Sequence, residues 1–167
     1  LGIDLGTTFS AIATIDDTGR PQIIHNSEGA NTTPSCVQFR DDGIAEVGEY
    51  ARKSLFIEGI NAVGRFKRDM GTSVTYEAEC KEFTPTELST FVLQKLAADA
   101  AESLGTIDEA VVTIPANFSH EARNATMAAA DAAGLNVKYI INEPTAAALY
   151  YAFKQGEDLG GIYAVYD

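Results

Sequence analysis

The feature that most constrains this chain is the regular alternation of strand-like and helix-like segments in its second half. Pro85 starts a long amphipathic stretch with Leu88, Phe91, Val92, Leu96, Ala100 and Leu104 at three- and four-residue spacing, ending at Gly105. There follow an apolar strand pattern at Ala110 to Ile114 and a helix pattern at Ser119 to Ala133, with Ser119 as N-cap and Gly134 just past its end. Val137 to Ile141 reads as a strand, Pro144 to Phe153 as a helix and Ile162 to Tyr166 as a further strand. Strands that alternate with helices need a largely parallel sheet with covered faces, because a parallel neighbour is reached only through a crossover.

The first part of the chain follows a different rule. Leu1 to Leu5, Phe9 to Ile15 and Gln22 to His25 are short strand patterns joined by tight turns, one of them Asp16-Asp-Thr-Gly19, so this part predicts an antiparallel meander. Between about 33 and 84 the pattern is less regular. Short strands are expected at Ser35 to Phe39 and Ile44 to Val47, a helix near Glu49 to Phe56, and a small hairpin within Thr72 to Phe83. The expected fold is therefore α/β: a mixed sheet of about five strands with flanking helices and a small inserted α+β subdomain. Residues 1–33 and 85–167 form the core in this reading, and 34–84 the insertion.

Charge and cysteine content narrow the function. The chain carries 24 Asp+Glu against 12 Lys+Arg, a net charge of −12, which argues against a partner that is nucleic acid or an anionic membrane surface. A small anionic ligand held by local amides, one cation or a metal is not excluded. The longest apolar run, Ala146 to Phe153, is too short to span a bilayer. Cys36 and Cys80 have no CxxC spacing, and His25 and His120 have no clustered partners, so the cysteines read as reduced thiols of a cytoplasmic protein and the histidines as surface or capping residues.

Three segments carry chemistry. In Gly2-Ile-Asp-Leu-Gly-Thr-Thr8 a carboxylate ends a buried strand and a Gly-Thr-Thr turn follows at once. Such a turn can bring amides and hydroxyls to phosphate oxygens, with the acid holding a hydrated magnesium ion; a plain hairpin whose polar groups satisfy one another is equally open. In Ile140-Ile-Asn-Glu-Pro-Thr-Ala-Ala-Ala148 a strand ends in a polar pair and a proline starts an alanine-rich helix, which places Glu143 where open α/β sheets bind ligands; complementing the helix dipole is its alternative role. Gly64-Arg-Phe-Lys-Arg-Asp-Met-Gly71 concentrates cations in an acidic chain, as either a site or a solvated face.

Taken in order, these segments resemble the ATPase domain of the seventy-kilodalton heat-shock chaperones of the DnaK type, within the actin, sugar-kinase and chaperone superfamily with its ribonuclease-H-like sheet. Gly2 to Thr8 is similar to that family's first phosphate loop, Glu28-Gly-Ala-Asn-Thr-Thr-Pro-Ser35 to its EGxRTTPS segment, and Phe66-Lys-Arg-Asp-Met-Gly71 to the segment with its catalytic lysine. Ala110 to Phe118, Ala122-Arg-Asn-Ala-Thr126, Ala133-Gly-Leu135 and Ile140 to Leu149 resemble the remaining motifs in sequence order. The stretch between Gly71 and Phe83 is shorter than the usual insertion, and Asn117 stands where the family usually has Tyr.

The resemblance implies ATP or ADP with Mg2+ as ligands. Asp4 would organise the hydrated metal, and Gly6, Thr7 and Thr8 would contact the β- and γ-phosphates. Lys67 would steady the attacking water and γ-phosphoryl oxygens, and Glu143 would take its proton. Pro115 and Arg123 match positions that couple nucleotide state to the rest of the chaperone, and Asp167 matches the acid of a second phosphate loop, which would face Asp4 across the cleft and contact the metal through water. The implied partners are client polypeptide bound through a further domain, a J-domain co-chaperone and a nucleotide exchange factor. The second lobe and the substrate-binding domain would lie beyond this segment, which alone is expected to be inactive. An actin-like filament protein and a nucleotide-sensing module without turnover are the rival functions; the Phe-Lys-Arg and Arg-Asn-Ala-Thr segments argue for the chaperone.

Overall fold

The computed structural model describes residues 1–40, 42–156 and 162–165. Its main sheet begins with β1 (Gly2–Asp4), β2 (Phe9–Ile15) and β3 (Pro21–Ile24), an antiparallel run, and is completed by β4 (Thr33–Pro34), which pairs with the start of β2. The turn from β2 to β3 is built by Asp16, whose Oδ1 accepts from the Thr18 hydroxyl and from the N–H groups of Thr18 and Arg20. On the other side of β1 the pairing changes sense. β10 (Ala110–Ile114) and β11 (Val137–Asn142) join in parallel, giving the order β11-β10-β1-β2-β3 and six strands with β4.

Helix α2 (Pro85–Leu104) is the common support of the whole chain. Thr84 and Glu87 form a reciprocal capping box at its start and Gly105 closes its end. Its Leu88, Val92, Leu96 and Ala100 repeat every fourth residue and, with Leu93, are essentially fully buried. They meet Ile3, Leu5, Ile12 and Val112 of the sheet region in one core, each leucine contributing about 2 kcal/mol on burial. α3 (His120–Ala132), capped by the Ser119 hydroxyl, packs beside α2 through Ala129 and Ala130.

The segment from 34 to 84 forms its own small sheets. β5 (Cys36–Phe39) lies between β6 (Ala45–Val47) and β7 (Ala62–Gly64), with α1 (Glu49–Ser54) against them. β8 (Tyr76–Ala78) and β9 (Lys81–Phe83) make a hairpin. Phe39 stacks on Phe83 at 4.2 Å between ring centroids and meets Phe91 of α2 edge-on at 5.7 Å, so the small sheets and the main core share α2.

Two expectations need correction. Residues 162–165 are not in a strand; an extended segment becomes one only through a regular ladder with a neighbouring strand. The rest of the expected strand, together with Asp167, lies outside the described residues. The sheet also has one strand more than expected, the two-residue β4, too short to be seen as a pattern. Both cysteines are free, Cys36 buried and Cys80 exposed. Burial raises the Cys36 thiol pKa above its ordinary value.

Candidate functional site

Parallel pairing carries the ends of β1, β10 and β11 to one edge of the sheet. Asp4 ends β1 opposite Thr113 of β10, and Asn142 at the end of β11 leads directly into α4 (Glu143–Gln155). Asp4, Pro115 and Glu143 therefore converge although they are far apart in the chain. They line a cleft of about 400 Å3 together with Gly6, Thr7 and Lys67, a volume suited to a small ligand.

Asp4 is held by a neighbour. The Thr113 hydroxyl donates to its Oδ1 at 2.7 Å, which leaves the second oxygen without a protein partner among the described residues. Gly6 is required for space. A Cβ there would lie 1.9 Å from the Phe9 carbonyl oxygen, so no other residue fits the turn as it stands. Thr7 lines the cleft. Thr8 is exposed and does not line it; its carbonyl accepts from the Ser35 N–H at 2.9 Å.

Lys67 arrives from the opposite side on a 3-10 turn, Phe66–Asp69. Arg65 enters this turn in the left-handed region at φ 63°, and Phe66, 1% exposed, anchors it in the core. Of the three cations here, Arg65 and Arg68 are exposed and Lys67 is buried, so the charge run splits into a solvated part and a single inward charge. Past the turn, Gly71 at φ +76° lies so close to α3 that a Cβ would be 2.4 Å from the Ala122 nitrogen. The turn is thus fixed by core packing at one end and by a helix at the other.

A buried ammonium needs a partner. Lys67 Nζ finds Glu143 Oε1 at 2.7 Å, across 76 positions of sequence, and lies 5.6 Å from the centre of the Phe118 ring. The cleft thus holds two carboxylates and one cation, with Lys67 and Glu143 already joined and Asp4 a separate acid. Such a set can neutralise and orient an anionic group while keeping a proton acceptor beside it.

Pro115 lines this cleft; Arg123 does not. Arg123 is exposed in the first turn of α3, with its N–H on the Ser119 carbonyl. Asp167 lies outside the described residues. Among the described residues there is no group of three or more His, Cys, Asp and Glu side chains that could hold a metal. Among the described residues no helix is long and apolar enough to cross a membrane. Sequence reasoning missed Thr113, Phe118 and Gly71. For Thr113 and Phe118 no spacing rule links them to Asp4 or Lys67, whereas the glycine after a cation-rich turn was a visible signal of close approach.

A mixed sheet with four helices and a cleft at the carboxyl ends of its parallel strands is compatible with the actin-like class of ATPase folds. Within it the assignment is specific: residues 1–167 match the model of the Hsp70 protein family from end to end, and the chain belongs to that family. Family membership makes it part of a chaperone ATPase domain, in which the full-length proteins bind nucleotide and carry ATPase activity.

Proposed function

We propose that this chain is the first lobe of the ATPase domain of a DnaK-type chaperone, with residues 1–33 and 85–167 as its core and 34–84 as an inserted subdomain, working in the cytoplasm. Its cleft takes the phosphates of ATP, and hydrolysis there sets the binding and release of unfolded polypeptide, with a J-domain co-chaperone and an exchange factor as partners. The observation that carries this reading is the buried Lys67–Glu143 pair facing the same cleft as Asp4.

The residues present suit a hydrated magnesium ion. Asp4 offers one oxygen left over from its Thr113 bond, which fits an acid that contacts the metal through water, with Asp167 as the second acid suggested by resemblance. When bound, the metal supplies positive charge to the phosphate oxygens. Thr7 lines the cleft wall, with Thr8 next in the chain, while Gly6 gives the backbone room to turn. Lys67 brings the one buried cation of the cleft to the transferring group, and Glu143, paired with it, orients the attacking water and takes its proton. Pro115, on the cleft wall, and Arg123, on the neighbouring helix, are the route by which nucleotide state leaves the site.

Replacing Lys67 by Ala in the intact protein tests this assignment. ATP binding should persist and hydrolysis should fall to background; turnover at the unaltered rate would contradict the lysine's role. The rival filament reading is not favoured by the family match.

A further inference from the structure

The turn between Asp4 and Phe9 is held from beneath by the hydroxyls of two serines. Ser10 and Ser35 are each 1% exposed, and their hydroxyl oxygens lie 2.9 Å apart. The Gly6 N–H donates to Ser10 Oγ at 3.1 Å, and the Ser35 hydroxyl donates to the Gly6 carbonyl at 2.7 Å.

Counting protons fixes the direction of the remaining bond. A serine hydroxyl has one hydrogen. Ser35 has given its hydrogen to Gly6, so the bond between the serines must run from the Ser10 hydroxyl to Ser35 Oγ. The result is a closed one-way circuit: Gly6 N–H to Ser10, Ser10 to Ser35, Ser35 back to the Gly6 carbonyl. The N–H and C=O of Gly6 belong to the two different peptide planes that flank its Cα. Holding both fixes φ and ψ together, at the one residue whose lack of a side chain would otherwise leave them free.

The circuit also decides which amide faces the ligand. The Gly6 N–H is consumed by Ser10. The Gly6–Thr7 peptide is trans, as there are no cis bonds among the described residues, so its N–H points opposite to its C=O. With the carbonyl turned down onto Ser35, the Thr7 N–H is turned away from the serines, and both residues of this peptide line the cleft. We propose that Ser10 and Ser35 are positioning residues of the site: together they lock the Gly6 backbone so that Thr7, and not Gly6, presents its amide to a phosphate oxygen. This rests on the reading of the cleft as a nucleotide site.

The test uses the intact protein and two readouts, hydrogen exchange of the Leu5–Thr8 segment and binding of ATP compared with adenosine. In the unaltered protein the Gly6 amide should be protected like the amides of β1, a measurement that needs no variant. Ser10→Ala should speed its exchange at least tenfold and weaken ATP binding at least fivefold, while adenosine, which has no phosphate, keeps its affinity. Ser35→Ala should weaken ATP in the same way, and the double variant should lose little more than either single one, because each breaks the same circuit. Ser10→Thr, which keeps a hydroxyl, should restore both readouts. An unprotected Gly6 amide, ATP affinity untouched by both alanine variants, or equal losses for ATP and adenosine would each overturn the clamp. An unaltered protein that binds no ATP would instead overturn the nucleotide reading beneath it.

Discussion

Two of the hollows formed by the described residues are nearly equal in size and lie in different parts of the fold, and only one of these two has the makings of a site. The cleft at the sheet edge measures about 400 Å3; a second cavity of about 370 Å3 lies beside the small sheets, among Gln38, Arg40, Asp42, Asn61 and Glu79. Both contain opposite charges. In the second, Arg40 and Asp42 stand 3.8 Å apart with about half of each side chain in water, an arrangement worth roughly 0–1 kcal/mol. In the first, the Lys67 side chain is only 6% exposed and pairs at 2.7 Å with a residue delivered by another element. Volume and polarity do not separate the two; a desolvated charge held by distant parts of the chain does.

The comparison can be sharpened by disturbing what holds each hollow together. The largest effect is expected from Gly71→Val. It places a branched residue at φ +76° and drives its Cβ into the start of α3, so unfolding free energy should fall by about 3 kcal/mol or more, measured by denaturant titration, and hydrolysis should fall with it as Lys67 shifts. A stability unchanged within error would mean that the Lys67 turn does not depend on α3.

Next comes Thr113→Val, similar in shape but lacking the donor to Asp4. The loss of one hydrogen bond, about 1 kcal/mol, should appear as a several-fold rise in the magnesium concentration needed for ATP binding, with little change in melting temperature. Thr113→Ser should reverse it. If magnesium dependence stays the same, Asp4 does not need its neighbour.

A smaller, spectroscopic effect concerns Tyr76, which ties the β8–β9 hairpin to the turn carrying Lys67 by donating to the Asp69 carboxylate. Burial, reinforced by that bond, pushes its pKa up to about 12 from an ordinary value near 10. The neutral phenol is therefore the form that folding favours. Its stabilising contribution is complete below about pH 10 and is lost as pH rises through about 12. Ultraviolet titration should show a tyrosine ionisation step near pH 12, and Tyr76→Phe should remove that step. The absence of that step, or its persistence in Tyr76→Phe, would show that the hairpin is not docked on the turn. The smallest effect is expected at the second hollow: Arg40→Ala should change stability by less than about 0.5 kcal/mol and leave ATP hydrolysis alone.

How much of this was readable without coordinates follows the same division. Where local chemistry decides, the residues announced the outcome. Pro85 and Gly105 mark both ends of α2, Ser119 caps α3, and Asp16 with Gly19 marks the first hairpin. The small sheets were harder because their backbone breaks the usual rules. Arg65, Glu79 and Cys80 adopt positive φ without being glycine, so the β8–β9 turn lacks the Asn-Gly type of signature, and β7 is only three residues long. At the site, resemblance named Asp4, Lys67 and Glu143, and the fold brings these three to one cleft. It could not show that Lys67 is buried while Arg65 and Arg68 are not, nor that Ser10 and Ser35 meet across 25 positions, since both depend on tertiary packing.

The central claim is that the cleft with the buried lysine takes the phosphates and the equally large second hollow does not. Hydrogen exchange of the intact protein with and without Mg-ATP tests it most directly. The account predicts new protection in the Leu5–Thr8 and Phe66–Met70 segments and none at 38–42 or 59–61. Protection confined to the second hollow, or absent from both segments that line the cleft, would contradict it.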